Sequence, residues 1–342
     1  MRIVVAEARV PFARDGAALH AQSLIEQLRL RGHQAESVAL PFNGRKDELL
    51  EQACAWRLLN LSASNARPID VLIATRFPTW FARHPRKVVW LMHQHRPAYD
   101  LYGTPYTDFT GEDDDLELRA QLRSLDSKMF TECARIVTNA RNTANRLQQY
   151  NGIPALPLYH PPPLANRLHA GPYGDYLLVV ARLEPLKRVE LAVRAMATVP
   201  PPLRLVIVGD GSQRTALAAE AAASPAAARI EFAGALWGDA VAELYARALA
   251  VLYAPFDEDY GYVTLEAFLA AKPVITATDS GGPLEFVYDG KNGFVCASNP
   301  TALSAAINRI ANDRSLAERL GRAGEATARQ ITWDGVIDRL LG

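Results

Sequence analysis

Cysteine is scarce in this chain: Cys54, Cys133 and Cys296 are the only three in 342 residues, far apart and odd in number. No Cys-x-x-Cys pair is present, which argues against a disulfide framework and a zinc ribbon. The three thiols read as small buried hydrophobes in a reducing compartment. Net charge is missing too, since 37 Lys and Arg balance 37 Asp and Glu. Such a chain has no global field to hold a polyanion, so nucleic acid is not an expected partner. Nowhere do 18 apolar residues run together, so no membrane-spanning helix is expected. The opening apolar run ends at Ala6, too short for a signal peptide, and reads as a first strand of a cytoplasmic protein. Disorder is excluded by 49% hydrophobic residues at zero net charge.

What is present reads as two halves with one grammar. A length of 342 residues, at roughly 100–200 per domain, suggests two domains. In the first half, residues 3–6, 71–74, 88–92 and 136–138 are apolar strand candidates. Ala17, Ala18, Ala21, Leu24, Ile25 and Leu28 recur at helical spacing, and Gly32 stops that helix. Asn139 is the expected cap of a helix running through Leu147 to Gly152. Three consecutive prolines, Pro161 to Pro163, break the pattern, and residues 160–172 read as a linker. Strands then restart at 176–181, 203–208, 230–232, 249–253, 274–276 and 294–295, alternating with helices. Near-continuous Val/Ile/Leu strands separated by helices predict parallel sheets covered on both faces. The expected fold is therefore α/β, with two Rossmann-like, doubly wound domains facing each other across a cleft, where such folds bind ligands.

Four loops carry chemistry. The segment from Glu258 to Glu266 sets two carboxylates around a strand-to-helix turn at Gly261. The glycine lets a ligand approach the backbone, and the amides of Tyr262 and Val263 open a helix whose dipole favours an anion. Each glutamate can accept hydrogen bonds from a polyol. Arg182 and Lys187 follow the strand ending at Ala181, where two fixed cations can neutralise a diphosphate. Gly281-Gly282-Pro283 makes a tight turn into a short helix. Asp15-Gly16 opens the first long helix and offers amides to the same phosphate.

Together Arg182…Lys187, Glu258…Glu266 with Gly261, and the run Ser280–Glu285 followed by Asp289-Gly290 and Asn292-Gly293 resemble glycosyltransferase family 4. These are retaining nucleotide-sugar transferases of GT-B fold. The resemblance is specific over about 176–296 and looser before it. It implies that Arg182 and Lys187 hold the donor diphosphate, that Glu258 contacts the transferred sugar, and that Glu266 binds the ribose hydroxyls. Gly209 and Gly211, in a partial Gly-x-Gly, would lie beside the nucleotide base. His93, at the end of strand 88–92, would face donor sugar and acceptor, with His95 as the alternative. Only Gly16 matches the paired glycines of the family's amino-terminal loop. Asp259 stands where glycine commonly follows the first glutamate.

The implied division is an acceptor domain over 1–165, a donor domain over 166–330, and a last helix over 331–342 that crosses back. The implied activity is retaining transfer of a hexose-type sugar from a UDP or GDP sugar to an acceptor hydroxyl, in polysaccharide, lipopolysaccharide or glycolipid synthesis. The acceptor would be a glycan, a glycolipid or a small molecule. No cofactor and no metal are expected, because the cation pair supplies charge to the leaving group. The carboxylates Glu112 to Asp115 read as an acidic surface loop. A sugar-nucleotide epimerase of the same fold and a non-enzymatic sugar-binding protein are the alternatives. A dinucleotide oxidoreductase would need a third glycine where Arg214 stands. Residues 1–99 carry 14 basic and 8 acidic side chains, net +6, and residues 118–165 carry 6 and 2, net +4. Residues 100–117 carry 7 acids and no base. A basic acceptor domain suits a phosphorylated or lipid-linked acceptor and a peripheral contact at a membrane surface. The aromatic segment 97–115 would shape the acceptor pocket.

Overall fold

The structure, a computed structural model, describes residues 1–12 and 16–342. It divides into two compact units: Met1–His160 with Trp333–Gly342, and Pro161–Thr332. The division falls at the start of the triple proline. There the missing N–H groups and fixed φ deny the chain a place in either sheet.

The first unit holds strands β1 (Arg2–Arg9), β2 (Gln34–Pro41), β5 (Val71–Ala74), β6 (Lys87–Leu91), β7 (Arg135–Thr138) and β8 (Leu156–Pro157), with a two-residue hairpin, β3 (Ala63–Ser64) and β4 (Arg67–Pro68), set apart. The six form one parallel sheet in the order β2-β1-β5-β6-β7-β8. Alternation along the strands divides their side chains between two cores. Val4, Ala6, Leu72, Ala74, Val89 and Leu91 pack with Leu49, Ala53 and Trp56 of helix α2 (Leu49–Leu58) and Leu122 and Met129 of α3 (Asp113–Phe130). Ile3, Val5, Val71, Ile73, Val88 and Trp90 pack on the other face with Leu24, Ile25 and Leu28 of α1 (Gly16–Leu30). The same core takes Val336, Ile337 and Leu340 of α11 (Asp334–Leu341). Helix α4 (Arg141–Asn151) completes this unit.

The second unit holds β9 (Tyr176–Val180), β10 (Arg204–Val208), β11 (Ile230–Gly234), β12 (Ala250–Leu252), β13 (Val274–Ala277) and β14 (Gly293–Cys296). Their order is β11-β10-β9-β12-β13-β14, again parallel throughout. Helices α5 (Val189–Ala195), α6 (Arg214–Ala222), α7 (Asp239–Arg247), α8 (Tyr262–Leu269), α9 (Pro300–Asn312) and α10 (Arg314–Ala328) are the remaining helices of this unit. The strand order turns back between β9 and β12. Loops leaving the carboxyl ends of those two strands must diverge, and a crevice opens between them.

Several local expectations need correcting. Asn139 does not cap α4: Ala140 occupies that position, and the Asn139 side-chain carbonyl accepts from Thr143 Oγ1 at 2.8 Å. Glu112 to Asp115 do not form a loop, because Asp113–Asp115 are the first turn of α3, where carboxylates meet the positive end of the helix dipole. Asp115 is occupied there, bonded to Lys46 at 2.7 Å and to Thr110 Oγ1 at 2.9 Å. Tyr99 and Phe109 of the aromatic segment are core residues, and Cys54 is exposed.

Asp126 on α3 sits fully buried, accepting from Trp80 Nε1 at 2.8 Å and Tyr99 hydroxyl at 2.7 Å. Burial pushes its carboxyl up to about 7, against the pull of those two donors. The folded protein therefore keeps a proton that the unfolded chain has released. Its contribution to stability is full in acid and is lost as pH rises through about 7. Stability is expected to fall by up to about 1.4 kcal/mol per pH unit over that range from this group alone. Urea titrations from pH 5 to 8 check this; an Asp126→Asn protein with the wild-type slope would refute it.

Candidate donor-binding site

The crevice between β9 and β12 is built from the two loops in which the sequence concentrates its charge. After β9 the chain runs through Arg182 to a short 3-10 turn, Pro185–Lys187. Lys187 Nζ makes an ion pair with Glu258 Oε2, and both side chains are only 15% exposed. The same oxygen accepts from the buried Tyr253 hydroxyl at 3.0 Å. The Glu258 carboxylate is thus fixed between a cation and a phenol, and Lys187 is held by its own site. Arg182 is exposed and forms no ion pair among the described residues. It is the cation of the two that a ligand meets without first displacing a carboxylate.

Glu258 is placed by neighbouring loops rather than by a strand. Its N–H donates to Ser280 carbonyl at 3.0 Å, and its carbonyl accepts from Gly282 N–H at 2.7 Å. Gly282 is required for this approach, since a Cβ there would lie 2.4 Å from the Asp259 carbonyl oxygen. Gly261 ends the loop at φ 81, in the left-handed region, and a Cβ would meet Pro283 Cγ at 2.9 Å. Tyr262 and Val263 then form the first turn of α8. Glu266 lies on that helix, buried at 8% exposure, and accepts from the fully buried Tyr245 hydroxyl at 2.8 Å. Burial pushes the Glu266 carboxyl up to about 7, with the tyrosine bond pulling the other way. Tyr245, 21 residues upstream on α7, carries no signal in the sequence for this role.

Gly209 and Gly211 follow β10 and hold its loop against the loop after β9. A Cβ on Gly209 would fall 1.8 Å from Ala181 carbonyl oxygen, and on Gly211 2.6 Å from that of Leu183. Ser212 Oγ and N–H close the same contact by donating to Glu184, at 2.5 and 3.2 Å. This packing of the two loops accounts for both glycines.

His93 lies in the first unit, two residues beyond β6, and is half-buried. Its Nδ1 faces the Gln94 carbonyl at 2.6 Å, and a carbonyl only accepts, so Nδ1 carries hydrogen. In the neutral ring Nε2 is then the accepting nitrogen. His95 is buried between Phe77 and Phe109, at ring distances of 5.6 and 6.1 Å, and burial pushes it down to about 3. It is a core residue. Gly16 is the exposed first residue of α1, whereas Asp15 lies outside the described residues. No group of three or more metal-ligating side chains occurs among the described residues. Within the same limits, no helix is long and apolar enough to cross a membrane.

These features define a protein of two Rossmann-like units whose second unit carries paired cations and paired glutamates at its topological switch point. Residues 171–327, within the second unit, match the family described as Glycosyl transferases group 1. A D-inositol 3-phosphate glycosyltransferase of Acidothermus cellulolyticus is 35% identical over 185 residues, which span 49% of this chain and 40% of that protein. The alpha-1,3/1,6-mannosyltransferase ALG2 of Mus musculus is 39% identical over 93 residues, 27% of this chain and 22% of the mouse protein. The matched segments thus span less than half the length of either relative. Sucrose-phosphate synthase from Thermosynechococcus elongatus superposes with a TM-score of 0.80 at 15% identity, covering 99% of this chain and 97% of the other. The fold of the chain is GT-B.

Proposed function

We propose that the protein transfers a hexose-type sugar from a nucleoside diphosphate sugar to an acceptor hydroxyl, with retained anomeric configuration. The observation that carries this reading is the Lys187–Glu258 ion pair just ahead of α8, the helix that bears Glu266, inside the segment matched by the family model. In this reading Glu266 accepts from the ribose hydroxyls, and Arg182, Lys187 and the first amides of α8 meet the diphosphate. Glu258 contacts the sugar, and His93 serves the acceptor side. The acceptor oxygen bonds to the anomeric carbon while the carbon–phosphate oxygen bond breaks on the same face. The hydroxyl proton passes to the departing phosphate. Fixed cations aimed at that developing charge supply the catalysis, so no metal is invoked. The family match favours transfer over epimerisation, and the cation pair beside the glutamates favours both over simple sugar binding.

A panel of UDP and GDP sugars tests the reading. A true donor at 100 times its dissociation constant adds about 2.7 kcal/mol of stability. It should raise the unfolding temperature and be hydrolysed slowly without acceptor. If no nucleotide sugar in the panel does either, the reading fails.

Glu266 gives a second, sharper expectation. Its ionised form is the better acceptor for two hydroxyls, and it is formed only as pH rises through about 7. Nucleosides carry the ribose without a titrating phosphate. Uridine or guanosine affinity, followed by NMR titration, should therefore rise roughly tenfold from pH 6 to 8. Glu266→Gln should abolish the rise. A pH-independent affinity in the wild type would contradict the ribose assignment.

A further inference from the structure

Arg188 is the residue after Lys187, and no role in donor binding has been given to it above. Its backbone stands at φ 48, ψ 40, in the left-handed region that glycine adopts freely and other residues rarely do. Its side chain is buried, 9% exposed, yet it is neither in an apolar core nor turned to solvent. Nε donates to the Ala254 carbonyl at 2.9 Å and Nη2 to the Pro255 carbonyl at 2.8 Å. Nη1 and Nη2 donate to the two Asp279 carboxylate oxygens at 2.8 and 2.6 Å. The Arg188 guanidinium is the main reason the Asp279 carboxyl stays below its ordinary range.

One guanidinium thereby joins three loops. The first, after β9, carries Lys187. The second, after β12, carries Glu258. The third, after β13, begins the Gly281-Gly282 turn against which Glu258 pairs. Backbone bonds run between the same loops, Phe256 N–H to Leu186 carbonyl at 2.8 Å and Asp257 N–H to Asp279 carbonyl at 2.8 Å. Asp257 is itself left-handed at φ 41, so the segment ahead of Glu258 follows no regular structure that could hold it alone. Two carbonyls and a planar carboxylate arranged around one group call for a rigid fork of donors, which lysine lacks.

We propose that Arg188 and Asp279 are positioning residues for the transfer reaction. They fix the relative placement of Lys187 and Glu258 without themselves touching donor or acceptor. The proposal rests on the transferase reading above, and adds to it two residues that act through others.

Arg188→Lys and Asp279→Asn test it. The probes are UDP and GDP by calorimetric titration, and the donor found in the panel by steady-state kinetics. Glu266 is held by Tyr245 and not by Arg188, so the diphosphate should still bind near one per chain, with affinity within about threefold of wild type. Turnover at saturating donor should fall about 100-fold, the scale of a misplacement of about 1 Å, while KM for donor changes little. The double variant should lose no more than either single one, because both remove the same tie. A purely structural role would lower the binding stoichiometry in step with turnover. If Arg188→Lys does not fold, Asp279→Asn keeps the side-chain volume and carries the same test. Unchanged turnover in the folded variants, additive losses, or losses matched by stoichiometry overturn the proposal alone. A wild-type protein that neither transfers nor hydrolyses any nucleotide sugar overturns the transferase reading and this proposal with it.

Discussion

Lys187→Ala is expected to lose about 100- to 1,000-fold in turnover, the cost of removing one preorganised group aimed at developing charge. The loss should appear with the fold intact. Lys187 ends a short turn, and its ammonium touches one carboxylate rather than a core. As the sugar–phosphate bond breaks, negative charge collects on the diphosphate. A metal-dependent enzyme would meet it with a cation held by clustered carboxylates, but the acidic run nearest that description is committed elsewhere. Asp113 to Asp115 begin α3 in the other unit, with Asp115 tied to Lys46 and Thr110. In the proposed reading the charge is met by Arg182, Lys187 and the start of α8. Wild-type turnover is accordingly expected to survive excess EDTA. Single-turnover assays with and without chelator decide this. Loss of activity in EDTA and its return with magnesium or manganese would sink the cation-pair account.

Much of this arrangement is legible in the sequence, for a physical reason. Strands of a parallel sheet are buried on both faces, so β5, β6, β9 and β10 appear as unbroken apolar runs. Strands and helices at the margin lack that signature. β2, at the edge of its sheet, alternates exposed and half-buried residues and escapes a search for apolar runs. α3 is rich in charge and buries two aspartates, Asp115 and Asp126, among its few inward residues, which disguises its periodicity. The site divides in the same way. Lys187, Glu258, Gly261 and Glu266 are visible because charge and glycine punctuate strand ends. Tyr245 and Tyr253 are invisible because a tyrosine in an apolar stretch reads as core until its hydroxyl is found on a carboxylate. The ion pair joining Lys187 to Glu258, 71 residues apart, is a product of the fold alone.

That ion pair shapes the expected behaviour of Glu258→Ala. Glu258 neutralises Lys187, so in the proposed reading a nucleoside diphosphate competes with it for that cation. Removing the carboxylate ends the competition and leaves an ammonium, 15% exposed, without its anion. A half-buried charge in that state gains more from an incoming phosphate than a paired one does. Glu258→Ala should therefore bind UDP or GDP at least as tightly as wild type. Transfer should nevertheless fall by about 1,000-fold if Glu258 serves the sugar as proposed, where charge redistributes across the breaking bond. Glu266→Ala should show the opposite pattern. Its proposed partner is the ribose in ligand and donor alike, so diphosphate and nucleotide sugar should weaken together, by about 1–3 kcal/mol for a buried hydroxyl pair left unmatched. Calorimetric titration of both variants with the diphosphate, then with the donor, separates the two roles. Equal losses of diphosphate affinity in the two proteins would contradict the division of labour between Glu258 and Glu266. Weaker diphosphate binding in Glu258→Ala than in wild type would show that Lys187 needs its carboxylate partner to be placed at all.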